Sequence, residues 1–160
     1  MEKALEKRIL KILKKLRNEK IEFYIVGGMA LVLYGIPRTT LDIDIVIPAD
    51  RKIIQKLFKI FKQERFKSEQ EDIFKIENPE YIVGQWITFS DEKGREMFDF
   101  FIEKEETFNL NLQKNINYIE FGNLKLPVAS LELIKKMKTE TKREIDIYDL
   151  KLIEDFEKNR

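Results

Sequence analysis

The chain has 160 residues, 43% of them hydrophobic, which is enough for a packed core and argues against disorder. Lysine plus arginine number 30 and aspartate plus glutamate 29, so the overall charge selects no partner. There is no cysteine and no histidine, which excludes disulfides, thiolate and imidazole metal sites, and any mechanism with histidine as general base. Chemistry must rest on carboxylates, lysine, arginine, hydroxyls or backbone.

Leu5, Ile9, Ile12, Leu13 and Leu16 recur at helical spacing, so residues 2–18 are predicted to form an amphipathic helix. This charged start is unlike a signal peptide, and no segment reaches the roughly 18 uninterrupted apolar residues of a membrane span. A cytoplasmic protein is expected. The richness in Lys, Glu and Ile leans toward a thermophilic source.

Phe23 to Val26 reads as a short strand that turns at Gly27-Gly28 into a short helix, Met29 to Tyr34. Gly35 suits its C-cap, and Pro37 prevents its continuation. Asp42 to Ile47 is the next predicted strand, closed by Pro48. Asp50 is a predicted N-cap for a helix with Ile53, Ile54, Leu57, Phe58 and Phe61 on its core face. The middle is aromatic and β-branched, with strands predicted at Ile73–Ile76, Tyr81–Phe89 and Met97–Ile102 and turns at Asn78-Pro79 and 91–94. Ile116–Phe121 and Leu124–Leu126 flank Gly122-Asn123 as a hairpin. Ser130 is set to cap a helix to about Lys138, and a last helix is predicted from about Arg143 to Phe156. With no linker and no repeat, the expectation is a single α/β (α+β) domain with a mixed sheet flanked by helices and a helical C-terminal end. Its core covers about 20–105, with the hairpin and helices at about 106–160.

The segment "IVGGMALVLYGIPRTTLDIDIVI" carries the sharpest signal. Residues two apart in a strand share a face, so Asp42 and Asp44 point one way while Ile43 and Ile45 point into the core. Two carboxylates roughly 7 Å apart along a strand repel each other, and a divalent cation between them reverses the effect. Oxygen donors alone favour a hard ion, Mg²⁺ or Mn²⁺. Gly27-Gly28, where a strand enters a helix, allows phosphate to approach bare backbone N–H groups. An Asp-x-Asp alone is often a solvated face, and Gly-Gly alone is often only a turn. Their order and spacing together point to nucleoside triphosphate chemistry.

The segment resembles the nucleotidyltransferase superfamily with the DNA polymerase β-like palm, in Val26-Gly27-Gly28 followed by Asp42-Ile43-Asp44. The resemblance implies a nucleotidyltransferase fold and a third carboxylate one strand later, for which Asp99 in "REMFDFFIE" fits better than Glu96 or Glu103. It further implies transfer of a nucleoside monophosphate from an NTP to a hydroxyl, with release of pyrophosphate. Asp42, Asp44 and Asp99 would then be catalytic and hold two Mg²⁺, and Asp99 would accept the hydroxyl's proton.

"GGMAL…YGIPRTTLDIDI" is similar to the AbiEii-type and related minimal nucleotidyltransferases, which carry Gly-Gly where other branches carry Gly-Ser. That branch often adds a C-terminal pattern, matched here by Met137-Lys138, Arg143, Asp146 and Asp149. Gly27, Gly28, Arg38, Thr39 and Lys138 are thereby candidate phosphate or nucleotide ligands. Asp146, with Asp149 on the same helical face, would orient Lys138 or Arg143. An ordinary salt-bridged helix pair is the competing explanation. The resemblance extends loosely over the whole chain, but only residues 25–47 carry a sharp motif.

Lys52, Lys56, Lys59 and Lys62 line one helix side, and Lys135, Lys136, Lys138, Lys142 and Arg143 cluster near the proposed site. The second cluster is a candidate nucleic-acid contact. Acceptors compatible with the resemblance are tRNA, a protein or a small molecule. A non-catalytic NTP- or partner-binding module, and the toxin of a toxin–antitoxin pair with a cognate antitoxin as partner, are the rival expectations.

Overall fold

The computed structural model describes residues 3–72 and 79–160. In chain order the elements are α1 (Lys3–Asn18), β1 (Tyr24–Val26), α2 (Gly27–Leu33), β2 (Ile43–Pro48), α3 (Arg51–Gln63), β3 (Trp86–Ser90), β4 (Glu96–Glu103), α4 (Glu105–Lys114), β5 (Ile116–Phe121), β6 (Leu124–Ala129), α5 (Leu131–Thr141) and α6 (Glu144–Lys158). The fold is α/β, with a six-stranded mixed sheet flanked by helices, in the order β3-β4-β2-β1-β6-β5. β2 runs parallel to β4 and β1 parallel to β6, while β1–β2, β3–β4 and β5–β6 are antiparallel. Among the described residues no helix is long and apolar enough to cross a membrane.

Strand parity divides the sheet into two unlike faces. On one, Ile43, Ile45, Ile47, Ile87, Phe89, Phe98, Phe100 and Ile102 are all buried. Helix α3 covers this face. Asp50 caps it, accepting from the backbone N–H of Lys52 at 2.8 Å and of Ile53 at 3.2 Å. Phe61 stacks on Phe89 at 4.0 Å between ring centres and meets Phe98 and Phe100 edge-on. Helix α1 packs beside α3. The opposite face carries Asp44, Thr88 and Asp99 at one end. Its other end is closed by α4, where Phe108 stacks on Tyr24 and the Tyr24 hydroxyl donates to Glu103 at 2.8 Å.

The strand predicted at Tyr81–Phe89 is overturned in its first half. Pro79–Ile82 form a 3-10 turn, and only Trp86–Ser90 are strand. Gly84, at φ 85°, redirects the chain so that its N–H meets the Ile102 carbonyl and pairing starts late. The strand predicted at Ile73–Ile76 and the turn residue Asn78 lie outside the described residues. Helix α4 carries no sequence signal, because its apolar residues Phe108, Leu110 and Leu112 alternate as in a strand. Packing of Phe108 and Asn111 against Tyr24 favours the helix over that local pattern. The hairpin holds, with β6 extending past Pro127 to Ala129. Ser130 caps α5 through the Leu133 N–H at 3.1 Å.

Phe61 is fully buried between α3 and three sheet phenylalanines. Phe61→Ala is expected to cost about 3–5 kcal/mol of unfolding free energy in urea titration.

Candidate active site

The parallel pairing of β2 and β4 sets Asp44 directly opposite Asp99. Their neighbours Ile43, Ile45, Phe98 and Phe100 take the buried face, so both carboxylates emerge on the other. Asp42 lies in a bend one residue ahead of β2 rather than in the strand itself. The Thr40 hydroxyl shapes that bend, lying 3.0 Å from the Asp42 carbonyl and 3.1 Å from Asp42 Oδ1. One oxygen from each of Asp42, Asp44 and Asp99 comes within 4.8 Å of the others. This is closer than the strand spacing expected from Asp-x-Asp alone, because the bend folds Asp42 back.

Three carboxylates this close are electrostatically costly. Burial pushes the Asp44 carboxyl up to about 7, and the charges of Asp42 and Asp99 add to the effect. Lys138 and Arg143 oppose it. Burial also raises Asp99, as do Asp42 and Glu96, while a 2.6 Å hydrogen bond from the Thr88 hydroxyl pulls the other way. Thr88 lies opposite Asp99 on β3 and was not anticipated from sequence. Its strand position relative to Asp99 became visible only with the β3–β4 register.

Gly27 ends β1 and opens α2 at φ 71°, a conformation that favours glycine. A Cβ there would collide with Asp44 Oδ2. At Gly28 a Cβ would lie 3.2 Å from Thr40 Cβ and 3.3 Å from Arg38 Cζ. The two glycines therefore leave room for the carboxylate and for the Arg38–Thr40 loop respectively. Thr39 is exposed and its carbonyl accepts from Arg38 Nη1, whereas Thr40 supplies the loop hydroxyl that reaches Asp42.

Helices α5 and α6 bring a cationic flank to this end of the sheet. Lys138 is buried, 2.7 Å from Asp149 and 3.6 Å from Asp146. Arg38 Nε donates to the other oxygen of Asp149 at 2.8 Å. Asp149 thus ties the Arg38 loop to both C-terminal helices. The sequence placed it beside Asp146 on one helical face, but its bond to Arg38 spans 111 positions and carries no local signal. Asp146 takes Arg143 Nε at 2.9 Å, the Arg143 backbone N–H at 3.1 Å and the Thr141 hydroxyl at 2.7 Å. Burial alone would raise the Asp146 carboxyl, but these hydrogen bonds outweigh it and hold the group well below the usual carboxylate range.

No protein-family model and no curated protein matches the sequence. Solved structures do match its fold. A candidate nucleotidyltransferase from Thermotoga maritima aligns over 100% of this chain and 97% of its own, with a TM-score of 0.60 and 19% identity. The lincosamide antibiotic adenylyltransferase LnuA, solved with lincomycin bound, aligns over 92% of this chain and 95% of its own, at TM-score 0.64 and 16% identity. ANT(2")-Ia, solved with adenylyl-2"-tobramycin, aligns over 93% and 87%, at TM-score 0.61 and 14% identity. The chain has the nucleotidyltransferase fold.

Within this nucleotidyltransferase fold the carboxylate cluster makes a stability signature. The Asp44 carboxyl titrates near 7 when folded, against an ordinary value of 3.8. Between these values the folded state binds the extra proton, so without divalent ions this group removes stability as pH rises from about 4 to about 7. Asp44→Asn is therefore expected to melt above the wild type at pH 8 in chelator, with the difference gone by pH 4. Asp149→Ala leaves buried Lys138 without its nearest anion and frees Arg38 Nε. Its expected cost is about 3–5 kcal/mol by urea titration.

Proposed function

We propose that this protein is a metal-dependent nucleotidyltransferase that moves a nucleoside monophosphate from an NTP to an acceptor hydroxyl. The observation that carries this reading is the convergence of Asp42, Asp44 and Asp99 beside the Gly27-Gly28 turn. The donor set fits Mg²⁺ or Mn²⁺, since it offers carboxylate oxygens alone and its mutual repulsion is relieved by a cation. Bound there, a pair of such ions supplies Lewis acidity, lowering the pKa of the acceptor hydroxyl and offsetting charge on the leaving group.

The acceptor oxygen forms a bond to the α-phosphorus. The bond from that phosphorus to the α–β bridging oxygen breaks, and pyrophosphate leaves with the electron pair. The acceptor's proton passes to Asp99, the carboxylate on β4 that faces Asp44 across the strand pair. Asp42 and Asp44 hold the metal side of the site. Gly27 and Gly28 admit the phosphates, with the Arg38 guanidinium lying against Gly28. Arg143, largely exposed and held by Asp146, acts on Asp44 and would offset triphosphate charge. Lys138 is buried and bonded to two carboxylates, so it acts as a fixed charge on the site more than as a direct phosphate ligand.

Gly27-Gly28, together with Lys138, Arg143, Asp146 and Asp149 meeting at one site, supports the AbiEii-type branch. The C-terminal hairpin continues the sheet at β1, which supports one domain over the whole chain. The need for NTP and Mg²⁺ suits the cytoplasm. The small-molecule acceptors in the LnuA and ANT(2")-Ia structures support a small hydroxyl compound as acceptor and an adenylyl group as cargo.

Asp42→Asn and Asp99→Asn are each expected to lower transfer of label from α-³²P-ATP by about 10³-fold or more while the protein stays folded by circular dichroism. Undiminished transfer by either variant places the chemistry elsewhere.

A further inference from the structure

Helix α3 carries charge of one sign. Its apolar side lies on the sheet, and its solvent side exposes Arg51, Lys52, Lys56, Lys59 and Lys62, with no acidic residue anywhere in the helix. At about 100° per residue these cations fall within an arc of about 140°, whose other members are Gln55 and Gln63. The row from Lys52 to Lys62 is about 15 Å long. Helix α1, packed beside α3, adds seven basic residues against one acid, Glu6. The chain as a whole sets 30 basic residues against 29 acidic ones, so this helical layer is its basic pole.

The arrangement works against the helix that bears it. Lys52 and Lys56 are i,i+4 neighbours, and Lys56, Lys59 and Lys62 follow at i,i+3, so like charges face one another along the surface. Arg51 and Lys52 occupy the first turn, where the helix dipole disfavours cations. Among the described residues none of the five cations forms an ion pair. The acids at the two ends of α3 are already engaged. Asp50 accepts from the cap amides, and Glu64 is held by Lys11 and Lys15. A charged surface that serves stability alternates its signs in ion-pair networks, and this one does not. The cations of α5 and α6 are different, since Lys138, Arg143 and Lys135 are tied to Asp149, Asp146 and Glu157.

The surface chemistry selects among polyanions. No large apolar or aromatic side chain is exposed on α1 or α3. A bilayer finds nothing there to bury, a protein partner finds no aromatic anchor, and an unpaired strand finds no ring on which to stack its bases. Phosphates held at fixed spacing on a rigid backbone need only a row of point charges, which lysines supply. A duplex carries one negative charge per roughly 1.7 Å of axis, so roughly nine phosphates lie along a row of this length.

We propose that the outer face of α3, bordered by α1, docks the phosphate backbone of double-helical nucleic acid without reading its sequence. This face lies across the sheet from Asp42, Asp44 and Asp99, so the duplex is a docking partner and not the acceptor of the reaction. Its charge does not depend on the nucleotidyltransferase reading.

Fluorescence anisotropy of labelled RNA and DNA duplexes of one sequence, about 20 base pairs long, measures binding to the full chain. Saturable binding is expected, with Kd on the order of micromolar at about 50 mM salt. Four phosphate contacts give a log–log salt slope of about −3.6, so affinity should fall about 10²-fold by about 200 mM. Combining Lys52→Gln, Lys56→Gln, Lys59→Gln and Lys62→Gln should weaken binding about 10²-fold at low salt and flatten the slope. The melting temperature of that variant should hold or rise, because like-charge neighbours are removed. Combining Lys93→Gln, Lys114→Gln, Lys136→Gln and Lys151→Gln removes the same charge from other exposed positions and should change Kd less than about threefold. Asp42→Asn should leave Kd unchanged. Binding of either duplex in this pattern supports the proposal, and a preference between RNA and DNA names the source. It is overturned by an unpaired strand of equal length binding as tightly, by tighter binding to phosphatidylserine vesicles, or by equal losses in the two quadruple variants. Loss of binding in Asp42→Asn, or no saturable binding at about 50 mM salt, overturns it as well.

Discussion

Asp44 and Asp99 face each other across a parallel strand pair, and Asp42 is folded back to join them. Three carboxylates in a partly buried position repel one another, and among the described residues no cation is paired with them. The surrounding structure is arranged around that repulsion. Gly27 lacks the side chain that would strike Asp44, Thr40 and Thr88 each bond one carboxylate, and Lys138 and Arg143 act on Asp44 from the C-terminal helices. The remaining deficit of positive charge is the physical basis for proposing a divalent ion there.

The rigid half of the molecule makes this tolerable. Helix α3 and the phenylalanines of β3 and β4 form a dense apolar layer on one side of the sheet. Burial of Phe98 and Phe100 on that side leaves Asp99 no orientation except the other. A one-residue slip of β4 against β2 would bury the carboxylate and expose the rings. The core thus sets the position of the charges, and their cost is carried by packing some distance away.

The cationic flank is held by a different device. Asp149 is fully buried and takes Arg38 from the loop before β2 and Lys138 from α5. Removing either cation would leave the carboxylate underpaired in a dry environment, so the three residues hold loop and helices as a unit. The charges beside the site are therefore preset rather than gathered on binding. The aromatic pair on the β3 side, Trp86 exposed and Phe101 half-buried, gives the site a second, chemically distinct end.

Much of this was legible along the chain. Helical spacing marked α1 and α3, Asp50 and Ser130 marked the N-caps of α3 and α5, and the Gly-Gly and Asp-x-Asp signals marked the turn and the carboxylates, because each of these depends on neighbours a few residues apart. Helix α4 was hidden because Phe108, Leu110 and Leu112 alternate, and Tyr24, more than eighty positions away, decides their packing. The late start of β3 depended on Gly84 meeting Ile102. By itself the sequence determined which residues can carry the chemistry, since it left only carboxylates, hydroxyls, backbone and fixed cations, and strand parity assigned Asp42 and Asp44 to one face. Only the tertiary structure decided that Asp99 and Thr88 complete that cluster, that Asp149 joins Arg38 to Lys138, and that Trp86 and Phe101 stand beside it. Strand order, register and burial are long-range properties, settled by which surfaces exclude water together.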